Sequence, residues 1–230
     1  MGSSKPIRLV KVGLLLVCFV ALCVAVLSAA AAARADRPDM AGRILSTEER
    51  DEIIRRNSAL TDYVYLSPNA DFPREANIDR ITIHMFTNMD VVEQGRLFAM
   101  RDTSSQMHMS ANYAVDADGK VGLYVEEADR AWASGSPEND HRAVNIVVAN
   151  GWADGDWHVP DEAMEKLIEL CADICRRNGI GMLTWTGDDM GNLTMHSMFA
   201  GTECPGYYLR HSMGMIAEQV NQALWSDPGY

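Results

Sequence analysis

Basic residues are scarce in this chain: 20 lysines and arginines stand against 32 aspartates and glutamates over 230 residues, a formal net charge of −12. Nucleic-acid binding rests on neutralising phosphates, so this balance argues against it. It argues equally against electrostatic attachment to anionic polymers or lipid headgroups. Cysteine is sparse as well, five in all. Cys171 and Cys175 stand four apart in a helical pattern, a spacing that a regular helix bridges badly, so reduced core thiols are expected rather than a disulfide. Internal repeats are missing. Long apolar runs are confined to one place, Val12 to about Ala33.

That run follows Lys5, Arg8 and Lys11, and Ala33-Arg34-Ala35 closes it before Asp36. A basic start, an apolar centre and an Ala-x-Ala site read as a secretory signal peptide over residues 1–35. The run is close to the roughly 20 residues that span a bilayer, so an uncleaved anchor through residues 12–33 is the alternative. Leucine before Cys23, where a small residue is expected, argues against a lipoprotein site. Cleavage removes four basic residues and no acid, taking the charge from −12 to −16. The remainder suits one domain with a sizeable core.

Residues 36–77 read as an amino-terminal arm with a short helix. Ser46 and Thr47 are followed by early acids and then Arg55 and Arg56, the pattern of a capped helix. The aromatics of Tyr63 to Arg74 either pack as an irregular arm or line a groove. From residue 78 the pattern alternates. Ile81 to Phe86 is an apolar, β-branched strand, and Val91 to Ala99 a short amphipathic helix. Asn112–Val115 and Val121–Val125 bracket Asp118-Gly119 as a hairpin. Ala143–Ala149 and Gly181–Trp185 are further strands. A long helix starts near Pro160-Asp161 and ends at Arg176-Arg177-Asn178-Gly179, and a last helix runs from Tyr208 to Leu224. The fold class expected is α/β, a single domain with a central mixed sheet flanked by helices and a metal site on one face.

The chemistry concentrates in Thr194-Met195-His196 and Thr202-Glu203-Cys204-Pro205-Gly206. An imidazole and a thiolate are donors that zinc takes, and Pro-Gly turns the chain after the second. His84, at the carboxyl end of the Ile81–Phe86 strand, is the best third donor. Three protein ligands leave a fourth position open, the pattern of a catalytic zinc. By spacing alone, a satisfied core histidine and a small buried cysteine remain the competing reading. His108, in a polar loop, reads as solvated, and His141 as a residue fixing a polar corner by hydrogen bonds.

Five stretches taken together, Ile81-Thr82-Ile83-His84, Ser110 to Val115 with Asp118 to Val121, Asn139 to Val144, Thr194-Met195-His196 and Cys204-Pro205-Gly206, resemble the type-2 N-acetylmuramoyl-L-alanine amidases. These are the zinc amidases related to the peptidoglycan recognition proteins, and the likeness runs in order from about Asp79 to about Leu224. The resemblance implies a hydrolase that cuts the amide between N-acetylmuramic acid and L-alanine in peptidoglycan. It implies Zn2+ on His84, His196 and Cys204, and substrate contacts at Asn112 and Trp132, unless Trp132 is a partly buried anchor under its loop. The expected setting is secreted and cell-wall associated, as a monomer with no added wall-binding module and no membrane contact unless residues 12–33 are retained.

One position departs from the pattern. Where relatives read Val-Thr-Ile-Glu-Val-Ala-Asn, this chain reads Val144-Asn145-Ile146-Val147-Val148-Ala149-Asn150. The family's glutamate, which accepts the proton of the attacking water, is Val147 here. Either the protein is a slow amidase or a wall-binding relative, or another acid takes over. Glu203 is the nearest acid to the ligand loop. Thr202 matches a position where relatives carry lysine or threonine that steadies the oxyanion, unless it only shapes the loop.

Overall fold

The computed structural model describes residues 41–87, 90–99, 109–150 and 157–226. The leader, His108 and Trp152 lie outside them. Among the described residues no helix is long and apolar enough to cross a membrane.

The first helix, α1 (Thr47–Arg56), starts where Ser46 accepts a hydrogen bond from the Glu49 amide while the Glu49 carboxylate accepts one from the Ser46 amide. That reciprocal pair satisfies two otherwise orphan donors. Two short strands follow, β1 (Tyr63–Val64) and β2 (Ala70–Asp71), then β3 (Arg80–Thr87) and α2 (Val91–Phe98). The hairpin is β4 (Tyr113–Val115) and β5 (Val121–Leu123), and β6 (Arg130–Ala131) pairs with β2 in a separate ribbon. A one-and-a-half-turn helix α3 (Pro137–Arg142) leads into β7 (Ala143–Asn150), and α4 (Asp161–Asn178), β8 (Leu193–Met195) and α5 (Gly206–Trp225) complete the chain.

The main sheet has the order β1-β5-β4-β7-β3-β8, parallel throughout except for the β4–β5 hairpin. It is the mixed sheet flanked by helices that the pattern expected. The segment assigned to the arm supplies its edge strand, since β1 pairs with β5 through Tyr63 and Val64. Strand alternation sorts the two faces. Ile81 and Ile83 of β3 and Val144, Ile146 and Val148 of β7 join the main core with Leu167, Cys171 and Ile174 of α4 and Leu209, Met213 and Ile216 of α5. The opposite face carries Val147 with Ala114, Phe98 and Tyr124 in a smaller cluster. The site grows on this second face.

Gly181–Trp185, expected as a strand, forms none. The Asn221 side chain on α5 takes both the amide and the carbonyl of Leu183, at 2.7 and 2.9 Å, and the Asn192 side chain takes the Thr184 amide and the Met182 carbonyl, so this backbone is satisfied largely by side chains rather than a ladder. The strand beside β3 is β8, formed by the residues just ahead of His196. The polar corner Asn139–Arg142 is helical, and His141 Nδ1 accepts a hydrogen bond from the Glu75 amide at 3.0 Å. Cys171 and Cys175 are buried free thiols.

Candidate metal centre

Three elements converge at one end of the second face. Strand β3 presents His84, the single 3-10 turn after β8 (His196–Met198) presents His196, and the loop before α5 presents Cys204. One donor atom from each lies within 4.8 Å of the other two. The imidazole rings stand 4.7 Å apart between centroids, inclined by 51°.

Glycine lets the last loop come this close. Gly206 has φ +85°, and a Cβ there would meet Met85 Sδ at 2.9 Å and the Trp157 side chain at 3.2 Å. No other residue fits both the dihedral and the space. The loop is further held by the Ser197 amide donating to the Cys204 carbonyl and the Cys204 amide donating to Thr202 Oγ1.

The electrostatics leave both imidazoles neutral. Burial pulls His84 down to about 3, with the neighbouring His196 adding to the effect, and burial also lowers His196 against the opposing charge of Asp140. Neutral imidazole is the form that ligates a metal. Burial pushes the Cys204 thiol up to about 11, opposed by the Met85 amide, which donates to Sγ at 3.2 Å, and by the Arg210 charge. At neutral pH this thiol keeps its proton, so occupation by a cation releases it.

Two imidazoles and a thiol suit zinc. Tetrahedral zinc places adjacent N and S donors roughly 3.3–3.7 Å apart, given bonds of about 2.0–2.3 Å. The observed grouping is compatible with that set. The donors open onto a pocket of about 200 Å3 walled by Met85, Phe86, Phe98, Met109 and Val147, with Ser110, Ala133 and Thr202 at its edge.

Val147 stands at the heart of the departure. It lies directly opposite His84 in the β3–β7 register, is 6% exposed and lines the same pocket. Glu203 is turned the other way, its side chain 94% exposed and 3.6 Å from Arg210. Thr202 reaches the pocket. Trp132 is half-buried with its indole N–H donated to Asp71 Oδ1 at 3.1 Å, and it does not line the ligand pocket. Asn112 is not placed to touch substrate. It is fully buried, its amide nitrogen donating to the Val125 carbonyl and its oxygen accepting from the Asn145 amide.

Sequence reasoning passed over two groups. Asn145 is a buried polar residue between apolar neighbours in β7, a signal that it must have a partner, and one partner is His84 at 2.9 Å. Arg80 shares its strand face with His84 and borders a second pocket, of about 400 Å3, with Arg142, Glu138, Asp189, Ser136 and Phe199.

Comparison with known proteins accords with this architecture. The family described as N-acetylmuramoyl-L-alanine amidase matches residues 74–207, more than half of the chain. The class is that of an amide hydrolase. The chain belongs to the N-acetylmuramoyl-L-alanine amidase family. Among solved structures, the catalytic domain of XlyA aligns at 18% identity and a TM-score of 0.52, over 70% of this chain and 97% of that one. The PlyG catalytic domain aligns at 17% identity and 0.51, covering 70% and 93%. A mutant endolysin from Bacillus subtilis aligns at 18% and 0.50, covering 69% and 95%. At such identities the likeness is one of fold. No curated protein matches the sequence.

Proposed function

We propose that this protein hydrolyses the amide between the N-acetylmuramic acid lactyl group and the first L-alanine of the peptidoglycan stem, with zinc held by His84, His196 and Cys204. The observation that carries the reading is the convergence of two neutral imidazoles and a thiol, from three separate elements, on one pocket. Zinc bound there supplies Lewis acidity and brings the pKa of a water towards about 7. The chain's own groups do the rest. Thr202 Oγ1 accepts the Cys204 amide, so its hydroxyl proton is available to an oxyanion formed at the pocket edge. The apolar wall of Phe86, Phe98 and Met109 excludes water around the scissile bond.

The stem peptide would extend along the β3 face towards Arg80, four residues and about 13 Å from His84 at a strand rise of roughly 3.3 Å. The Arg80 side chain is 10% exposed and borders the second pocket, its Nε 3.6 Å from Asp79 Oδ1 and its Nη1 donating to Asn139 Oδ1, so a peptide carboxylate entering that pocket would meet a guanidinium already held in place. Arg80→Gln is expected to raise KM for stem-bearing substrates about tenfold with kcat changed less than twofold, measured on soluble muramyl peptides. An equal fall in kcat would instead place Arg80 in the chemistry or in folding.

The alternative, a peptidoglycan-binding protein with weak catalysis, is favoured by one residue, Val147, which cannot accept a proton. The deciding experiment is release of free stem peptides from purified peptidoglycan, with the protein zinc-loaded or chelator-treated. Zinc-dependent release supports hydrolysis; retention on peptidoglycan without release supports the binder. Cys204→Ala should lower zinc affinity by at least about 100-fold in competition with a chromophoric chelator, because a charged ligand is lost along with a coordination position. A loss under threefold would remove Cys204 from the ligand set. We further propose that the protein acts outside the cell on the wall, as its amino-terminal segment suggests.

A further inference from the structure

Behind His84 lies a buried polar chain that the hydrolytic reading does not use. His84 Nε2 is 2.9 Å from Asn145 Oδ1, and Asn145 Nδ2 donates to Asp140 Oδ1 at 3.2 Å. His84, Asn145 and Asp140 are 5%, 0% and 2% exposed. The orientation of the Asn145 amide follows from the far end. Both Asp140 oxygens already accept backbone N–H groups, from Ser134 and Ala133, and a carboxylate can only accept. The amide nitrogen must therefore face Asp140, which leaves the amide oxygen facing His84. An oxygen acceptor there requires the hydrogen to sit on Nε2. The lone pair is then on Nδ1.

We propose that Asp140 and Asn145 are positioning residues that hold His84 as its Nε2–H tautomer and so present Nδ1 as its ligating atom. The relay is braced on every side. The Asn145 amide donates to Asn112 Oδ1, so the residue expected to touch substrate holds the backbone of the relay instead. Asp140 also fixes the amides of Ala133 and Ser134, and Ala133 borders the ligand pocket. One carboxylate thus ties the pocket rim to the tautomer of a metal ligand. Partners of this kind, once removed, typically cost a metal site about 10- to 100-fold in affinity.

The proposal rests on His84 being a ligand, but its first test needs no metal. Long-range 1H–15N correlation of the imidazoles in the zinc-free protein should show His84 wholly as Nε2–H; an Nδ1–H signal in the unmutated protein overturns the proposal without any variant. Asn145→Leu should give a mixture of tautomers and a 10- to 100-fold loss of zinc affinity by chelator competition. Tautomer and affinity both unchanged in folded Asn145→Leu would overturn it. A protein that binds no zinc yet shows the Nε2–H tautomer would sink the metal reading and leave the relay standing.

Discussion

Replacing Val147 with glutamate is expected to raise the zinc-dependent rate of muramyl-alanine cleavage by about 100- to 10,000-fold, the usual contribution of a positioned general acid and base. That is roughly 2.7–5.5 kcal/mol of barrier. The register supports the expectation, because position 147 stands directly across from His84 and opens on the pocket that holds all three donors. Surroundings at this position suit a base as well. A carboxyl among Phe86, Phe98 and Met109 has its pKa raised by desolvation, towards the range where a base works at neutral pH. Buried Gln94, whose Nε2 has no hydrogen-bond partner among the described residues, lies with Val147 along an adjoining crevice and offers a donor to steady the new carboxylate. Initial rates of stem-peptide release for the two proteins, at saturating zinc, make the test. Equal rates would show that the natural protein already operates with another base. Glu203 is a poor choice for that base, since its side chain points into solvent.

Glu127→Ala is expected to destabilise the fold by about 3 kcal/mol, the lower end for removing one partner of a buried ion pair. The Glu127 side chain is 7% exposed and accepts from Tyr113 at 2.7 Å, Asn178 at 2.8 Å and Arg177 at 2.6 Å. Its own amide donates to Asn57 at the end of α1. Next to it Glu126 takes two hydrogen bonds from Arg56 and one from Asn57. These two acids fasten α1 to the hairpin strand β4 and to the end of α4. Removing Glu127 leaves Tyr113 without the acceptor for its hydroxyl, while Arg177, 26% exposed, keeps Asp173 and some water. Urea unfolding followed by tryptophan fluorescence measures the difference. A loss below about 1 kcal/mol would put the cluster on a par with an exposed pair such as Arg43–Glu49.

How much was legible follows from what each signal encodes. Helix α1 was readable because its cap is written in neighbouring residues, Ser46 and Glu49. The β4–β5 hairpin was readable because Asp118-Gly119 specifies a turn whatever surrounds it. Gly181–Trp185 misled for the opposite reason. Its apolar residues fit a strand, but the hydrogen bonds of Leu183 go to the Asn221 side chain on α5 and those of Met182 and Thr184 to Asn192 and Leu193, partners that no strand pattern reveals. Asn112 was placed in the right motif and given the wrong work, since burial decides whether an amide meets substrate or backbone.

By itself the sequence determined the kinds of donor atom, His84, His196 and Cys204, the alternation that puts them beside an α/β core, and the valine at position 147. All of these are properties of residue type and short-range period. Only the tertiary structure decided that the three donors meet within 4.8 Å, that Val147 faces them while Glu203 does not, and that Asp140 reaches His84 through Asn145. Those facts depend on strand register and loop closure. Register is set by the summed burial of both sheet faces and closure by a backbone turn that only Gly206 allows, so neither is carried by any one stretch of chain.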